Sequence, residues 1–352
     1  MKKKSNVLVY PGWSDTPYLK VLYKGFQNTV YAKYSGAIFS ITRNTLSERA
    51  AIIHIHWTSS LFYNNERQNF KTLLKKSISI LDLLFVKFVL NKKIIWTVHN
   101  LYPHDCMNKK SERKCRKILG KLSTSVIVLG RSAISVVSNE FGIPEEKISV
   151  QLHGTFNMLF DGFIALDRSE VLTKFGLPES ENKIYLFPGT VKSYKNPLGA
   201  IQAFNRENSN SILLIAGKVD KDLKDKLSES ATVKIIDRYL EDEEFFQLYK
   251  IADWVVIPYS QILTSGSVLT AIGLGKAIIA PNMGTIPDYL DELGGILFDP
   301  SDKNGFSLSV EESSKRNASE MGKHNYQKGL NFDWIETRKD LHDIINRLLD
   351  GR

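Results

Sequence analysis

The sequence predicts an α/β protein made of two doubly wound parallel-sheet domains, and three observations carry that expectation. Short β-branched runs alternate with longer amphipathic segments, the pattern of parallel strands joined by helical crossovers. The alternating series occurs twice along the chain. The length of 352 residues exceeds what one ordinary core fills, so two domains of roughly 150 to 180 residues are expected.

In the first half the strand candidates are 6–10, 51–56, 93–99, 125–129 and 147–152. In the second they are 184–187, 212–216, 233–236, 254–258 and 277–280. Helical spacing fills 17–31, 70–90, 132–141, 197–205, 243–251 and 267–274, and apolar residues at helical intervals mark a last helix over 334–349. Loop signals gather between Asp161 and Asn182, where Asp-Gly, Gly-Leu-Pro and a polar Glu-Ser-Glu-Asn run follow one another. The expected organisation is therefore a first domain over 1–165, a second over 180–333 and a terminal helix over 334–352.

Composition narrows the class. Hydrophobic residues at 43% and charged residues at 24% are those of a globular protein. Two cysteines, Cys106 and Cys115, can neither staple a chain of this size nor fill a four-ligand zinc site. The first apolar run, Val7–Tyr10, is shorter than the core of a signal peptide and reads as a strand. The longest greasy stretch, Ile78–Leu90, is interrupted by Asp82 and Lys87 and falls short of a membrane span. A cytoplasmic protein, soluble or peripheral on the inner face of the cell membrane, is expected.

Charge is unevenly placed. Residues 1–170 carry 25 Lys and Arg against 12 Asp and Glu, and the remainder 22 against 26. A basic first half points to an anionic partner such as a membrane leaflet or a lipid pyrophosphate. Nucleic acid is disfavoured, because no helix-turn-helix, finger or RNA-binding signature accompanies the charge.

Ligands of parallel sheets bind beyond the carboxyl ends of the strands, so the residues there are the site candidates. Tyr10 to Tyr18, with Gly12, Trp13 and Asp15, is a turn-rich passage into a helix whose amides face either a phosphate or sugar, or serve an ordinary connection. Trp96 to Asp105 gathers His99, Asn100, His104 and Asp105 after the third strand. His54 reads as a structural histidine, with His56 on its face and Trp57 on the opposite one. The basic run Asn108–Lys121 is a solvated face or a phosphate or membrane contact. The apolar stripe of the helix before it is expected in the core, with an interfacial location as the alternative.

In the second half, Phe187 to Pro197 leaves a strand and opens a helix. Gly189 lets backbone approach a ligand, while Lys192 and Lys195 supply the cations that a departing diphosphate needs. Tyr259 ends a strand, and Thr264-Ser265-Gly266-Ser267 opens the apolar helix that follows, a hydroxyl-rich phosphate site.

Taken together, these passages resemble glycosyltransferases of the GT-B fold, the large retaining family 4 and related enzymes of bacterial polysaccharide assembly. The strand-plus-His segment Ile95–Asn100, the strand end Val150–Gly154 with His153, and the Gly–Lys loop Gly189–Asn196 occur in the family's order. Ala252–Tyr259, Gly275–Ala280 and the turn Gly284–Leu290, with Asp288 in its acidic place, follow. The resemblance spans nearly the whole chain. It implies two Rossmann-like domains facing a central cleft and a sugar transferred from a nucleoside-diphosphate sugar to a lipid-linked or polysaccharide-repeat acceptor.

By that resemblance Lys195, supported by Lys192 and Gly189, binds the donor diphosphate, and Tyr259 with Ser265, Gly266 and Ser267 holds phosphate or ribose. His99 lies against donor sugar and acceptor, with Gly12, Trp13, Asn100, His104 and His153 as further sugar contacts. No metal or other cofactor is implied. Two glutamates that the retaining members carry fall here at Ile262 and Thr270, which leaves the stereochemistry open. An inverting route needs a general base, for which His99, His104, Asp105 and Asp15 are the candidates. A nucleotide-sugar epimerase on the same fold and a non-catalytic nucleotide-sugar-binding subunit are the alternatives.

Overall fold

The computed structural model describes residues 6–34, 37–62, 70–104, 106–179, 182–206 and 211–350. The chain forms two compact units, one of Met1–His153 with Trp334–Arg352 and one of Gly154–Asp333.

The first unit is built on six parallel strands, β1 (Asn6–Tyr10), β2 (Thr29–Tyr31), β3 (Ala50–Ile55), β4 (Lys93–Val98), β5 (Ser125–Val128) and β6 (Ile148–Val150), in the order β2-β1-β3-β4-β5-β6. The order reverses between β1 and β3, and that reversal opens the crevice in which doubly wound sheets take their ligands. Central strands β3 to β5 are almost wholly buried, as a sheet covered on both faces demands. The expected helix over 17–31 ends at Leu22 instead. Gly25, at φ +89°, turns the chain back, and 29–31 pairs along β1 as an edge strand. Three residues are too few to show an alternating pattern, which is why the sequence hides this strand.

The second unit repeats the plan with β7 (Lys183–Pro188), β8 (Ser211–Ala216), β9 (Val233–Ile236), β10 (Trp254–Val256), β11 (Ala277–Pro281) and β12 (Gly295–Phe298), all parallel and ordered β12-β11-β10-β7-β8-β9. Counted within the unit this is the dinucleotide-binding order, with its reversal between β7 and β10. Every residue of β8 is buried. Full burial of each Leu or Ile contributes about 1.5–3 kcal/mol, so the stability of this unit sits directly behind the strand ends that form its site.

The domain limit at 165 moves. Residues 154–165 belong to the second unit because their bonds lie there. Thr155 N–H donates to Phe332 O at 3.0 Å, Phe160 stacks on Phe246 at 5.8 Å, and Gln247 Nε2 donates to Ile164 O at 2.7 Å. The terminal helix Trp334–Asp350 packs in the first unit, where Gln151 Nε2 donates to Thr337 O at 2.9 Å and the Thr337 hydroxyl donates to Leu152 O at 2.8 Å.

A second correction concerns the helix Phe70–Leu84 and the π-helical segment Phe85–Val89 that continues it. Its apolar stripe does not face the core. Phe70, Leu73, Leu81, Phe88 and Val89 are exposed, while Thr72, Lys76 and Asp82 point inward. Asp82 explains the orientation. Its carboxylate accepts the amides of Ile41 and Thr42 at 2.8 and 2.9 Å and the Thr42 hydroxyl at 2.6 Å, serving orphan donors in the first turn of the helix Ser40–Ser47.

Candidate functional site

In the first unit the carboxyl ends of β1, β3 and β4 bring together a cluster of rings. Strand alternation puts His54 and His56 on one face, and their rings stack at 4.1 Å. A chain of hydrogen bonds joins them to neighbours. His54 Nε2 meets the Thr97 hydroxyl at 2.8 Å, Tyr23 Oη bridges His54 Nδ1 at 2.6 Å and His56 Nε2 at 2.9 Å, and His56 Nδ1 meets His99 Nε2 at 3.3 Å. Burial holds His54 down at about 3. Burial, with His54 and His99 beside it, keeps His56 well below the ordinary histidine range. His99 is held at about 3 by burial, then by His153 and His54. All three imidazoles are therefore neutral at physiological pH, and His99 keeps Nδ1 outside this chain of bonds.

His99 is clamped between aromatic rings. Trp57 stacks on it at 4.8 Å and Tyr18 meets it edge-on at 4.9 Å. Tyr18 in turn packs on His153 at 5.0 Å and Trp334 at 5.8 Å. Trp13 stacks on the outer face of Trp57 at 5.4 Å and remains 45% exposed. An exposed indole above a neutral imidazole is a surface that suits the apolar face of a sugar ring, with a polar group at its edge.

Of the candidates from the sequence, this unit joins Trp13, His99 and His153. Asn100 lies at the rim, its carbonyl accepting Arg116 Nη1 at 3.1 Å. Gly12 has a packing reason, since a Cβ there would run into the backbone of Ala32. Asp15 does not join. Its carboxylate is fully exposed, 3.9 Å from Lys20 and away from the ring cluster. His104 is exposed as well, and Asp105 lies outside the described residues. Trp57 was expected on the opposite face, but β3 ends at Ile55 and alternation no longer applies two residues later. Sequence reasoning passed over Tyr18, Tyr23 and Trp334. The first two follow β1 on one helix turn, a readable signal, whereas Trp334 reaches the cluster from far along the chain.

In the second unit the site forms where β7 and β10 end. Gly189 follows β7 at φ +85°, in the left-handed region that a side chain resists. Gly217, at the end of β8, crosses so close to it that a Cβ would strike the Gly189 carbonyl. The turn Ser193–Lys195 then folds Lys195 back beneath this glycine. Its ammonium donates to Pro188 O at 3.3 Å and lies 5.1 Å from the centre of the Tyr259 ring. Burial, with Lys192 nearby, lowers Lys195 to about 8. Among the described residues no carboxylate pairs with it, and it lies next to a backbone that a Cβ does not obstruct. Lys192 is half-buried beside it.

Across from that turn, Ser260 donates both its amide and its hydroxyl to Tyr194 O, at 2.9 and 3.0 Å, which ties the β10 loop to the lysine loop. Ser265 caps the helix Gly266–Gly273 by accepting Val268 N–H at 3.3 Å. That helix presents its amino end, with Gly266 and Ser267, as a partial positive charge. Burial raises the Tyr259 phenol far above its usual range. The two positions where retaining enzymes carry glutamates offer no acid. Ile262 is half-buried, and the Thr270 hydroxyl donates back to Gly266 O at 2.9 Å. Among the described residues no three His, Cys, Asp or Glu side chains are grouped to hold a metal ion.

The family described as "Glycosyl transferases group 1" matches residues 169–328, most of the second unit and the whole of the lysine–glycine site. Over that span the chain is similar to the group 1 glycosyltransferases. The first unit lies wholly outside that match, and a curated relative extends the likeness into it. The chain is 22% identical, over 81% of its own length and 75% of the relative's, to the GDP-mannose:glycolipid 4-beta-D-mannosyltransferase of Xanthomonas campestris pv. campestris. Solved structures give the fold. A glycosyltransferase from Rickettsia africae covers both chains completely at TM-score 0.66 and 16% identity. Anabaena Alr3699/HepE, solved with UDP, matches 98% of this chain and 100% of its own at TM-score 0.67 and 12% identity. The chain thus has the GT-B fold, with its two six-stranded parallel sheets.

Proposed function

We propose that this enzyme moves a hexose from a nucleoside-diphosphate sugar to a lipid-linked acceptor, the second unit holding the donor and the first the acceptor. The observation that carries the donor half is Lys195, a buried ammonium beside Gly189 whose described partners are the Pro188 carbonyl and the Tyr259 ring. A diphosphate completes that arrangement. As the bond between the anomeric carbon and the phosphate oxygen breaks, its electron pair stays on the diphosphate, where Lys195, Lys192 and the helix end at Gly266 oppose the growing charge. Ser265 and Ser267 stand at that helix end for phosphate or ribose contact.

The acceptor half rests on the ring cluster. An acceptor oxygen forms the new bond to the anomeric carbon and gives up its proton. Among the described candidates, His99 Nδ1 is the neutral nitrogen placed at a strand end to receive it. Trp13 offers the stacking surface for the acceptor sugar. A glycolipid acceptor agrees with the relative that acts on one and with the basic first half, and it puts the enzyme at the anionic inner face of the cell membrane. None of the described helices is long and apolar enough to cross a membrane, which fits peripheral attachment.

The test is Lys195→Ala in the full chain, read by calorimetry with nucleoside diphosphates and by transfer to purified glycolipid. Transfer is expected to fall by about 10²–10³-fold, the loss typical of removing one such stabilising group, with the unfolding temperature preserved. Undiminished diphosphate binding in that variant would remove the donor assignment. Product formed from donor alone would favour an epimerase.

A further inference from the structure

The helix Phe70–Leu84 is built inside out, and that has a use. Its described acid, Asp82, is buried under the first turn of the Ser40–Ser47 helix, and Lys76 is buried against Glu112 at 3.0 Å and the Ser111 hydroxyl at 3.0 Å. These bonds fix its rotation, since turning a helix by one residue moves every side chain by about 100°. Locked that way, it shows water an apolar stripe that runs on through the π-helical segment. Phe70 is 78% exposed, Phe88 70% and Val89 64%, with Leu73, Leu74 and Leu81 between them. A contiguous stripe of this kind marks an interaction surface.

The charges around it choose the partner. From 70 to 139 the described acids are Asp82 and Glu112, both buried. Lys71 and Lys75 flank the stripe, and the packed helix Lys109–Leu122 adds outward Lys109, Lys110 and Lys114, while its Arg113 pairs with Glu140 at 2.9 Å. A second copy of this chain docked by the same face would set lysine against lysine. An anionic leaflet satisfies both features, taking apolar side chains into the acyl boundary and lysines at the headgroups. Beside the stripe a recess of about 190 Å³, lined by Ile38, Leu74, Ile78, Lys71 and Lys75, reaches down to Tyr10 at the end of β1.

We infer that Phe70–Val89 is a membrane-docking face that seats the first unit on an anionic lipid leaflet. Its choice of a leaflet rests in part on the glycolipid-acceptor reading, while its geometry stands alone.

The test is flotation of the full chain with vesicles of phosphatidylglycerol and phosphatidylcholine, or of phosphatidylcholine alone. Wild type should float with the anionic vesicles and be released by high salt only in part. The double variant Phe70→Ser/Phe88→Ser should lose at least tenfold in partitioning. Lys71→Glu/Lys75→Glu should lose the preference for anionic lipid. Both should keep the wild-type circular dichroism and nucleoside-diphosphate affinity. Equal partitioning of wild type and the Ser variant would overturn the inference, as would a concentration-dependent dimer that the Ser variant abolishes. Vesicle binding without any diphosphate binding would sink the transferase reading and leave this face standing.

Discussion

The two units share a plan and differ in what they place at its opening. Each has six parallel strands with one reversal of order. At β1 and β3 the reversal holds indoles, a phenol and imidazoles kept neutral by burial. At β7 and β10 it holds a glycine turn, a buried ammonium and a helix end. On the proposed reading, one opening takes an uncharged ring that loses a proton and the other an anion that gains charge. That reading divides the reaction between two kinds of chemistry on one scaffold without changing its strands.

The contrast breaks most sharply at His99. His99→Ala should lower kcat by about 10²–10⁴-fold, the range of a lost general base, while diphosphate affinity measured by calorimetry stays at the wild-type value. Lys195→Ala should weaken both, so the two variants separate the openings. A fall in diphosphate affinity with His99→Ala would show that the division is wrong.

The pH profile sharpens the same comparison. Lys195 is lowered to about 8, so kcat/KM should fall about tenfold per pH unit above 8 as the ammonium loses its proton. His99, at about 3, should place no acidic limb near 6.5. The folded pKa of Lys195 lies below its unfolded value, so the unfolded chain binds more protons above pH 8. Stability should therefore rise there while donor binding falls. Thermal melts and diphosphate titrations from pH 7 to 10 read both, and Lys195→Met should flatten both.

The smallest effect is expected at Trp13. Trp13→Ala should raise the acceptor KM roughly threefold to tenfold, the equivalent of about 0.5–1.5 kcal/mol of ring stacking, with kcat and donor KM unmoved. A change in donor KM instead would move the indole to the other substrate.

Much of this was legible from residue order. Ten of the twelve strands show as β-branched runs, and Gly189 with Lys195 shows as a turn between strand and helix. The remainder follows from tertiary bonds that leave no local trace. Thr29–Tyr31 falls inside the helix expected over 17–31, and Gly295–Phe298 does not stand out as a β-branched run. The outward stripe of Phe70–Leu84 looks like a core stripe until Asp82 finds the amides of Ile41 and Thr42. Asp15 resembles a base until its full exposure is seen, and Trp334 becomes a site neighbour only through Tyr18 and His153.

The first unit is assembled from both ends of the chain, with Trp334–Asp350 bonded to the end of β6. A substitution in that helix can therefore reach Tyr18 and His153 through Trp334, although their own segments lie far away along the chain.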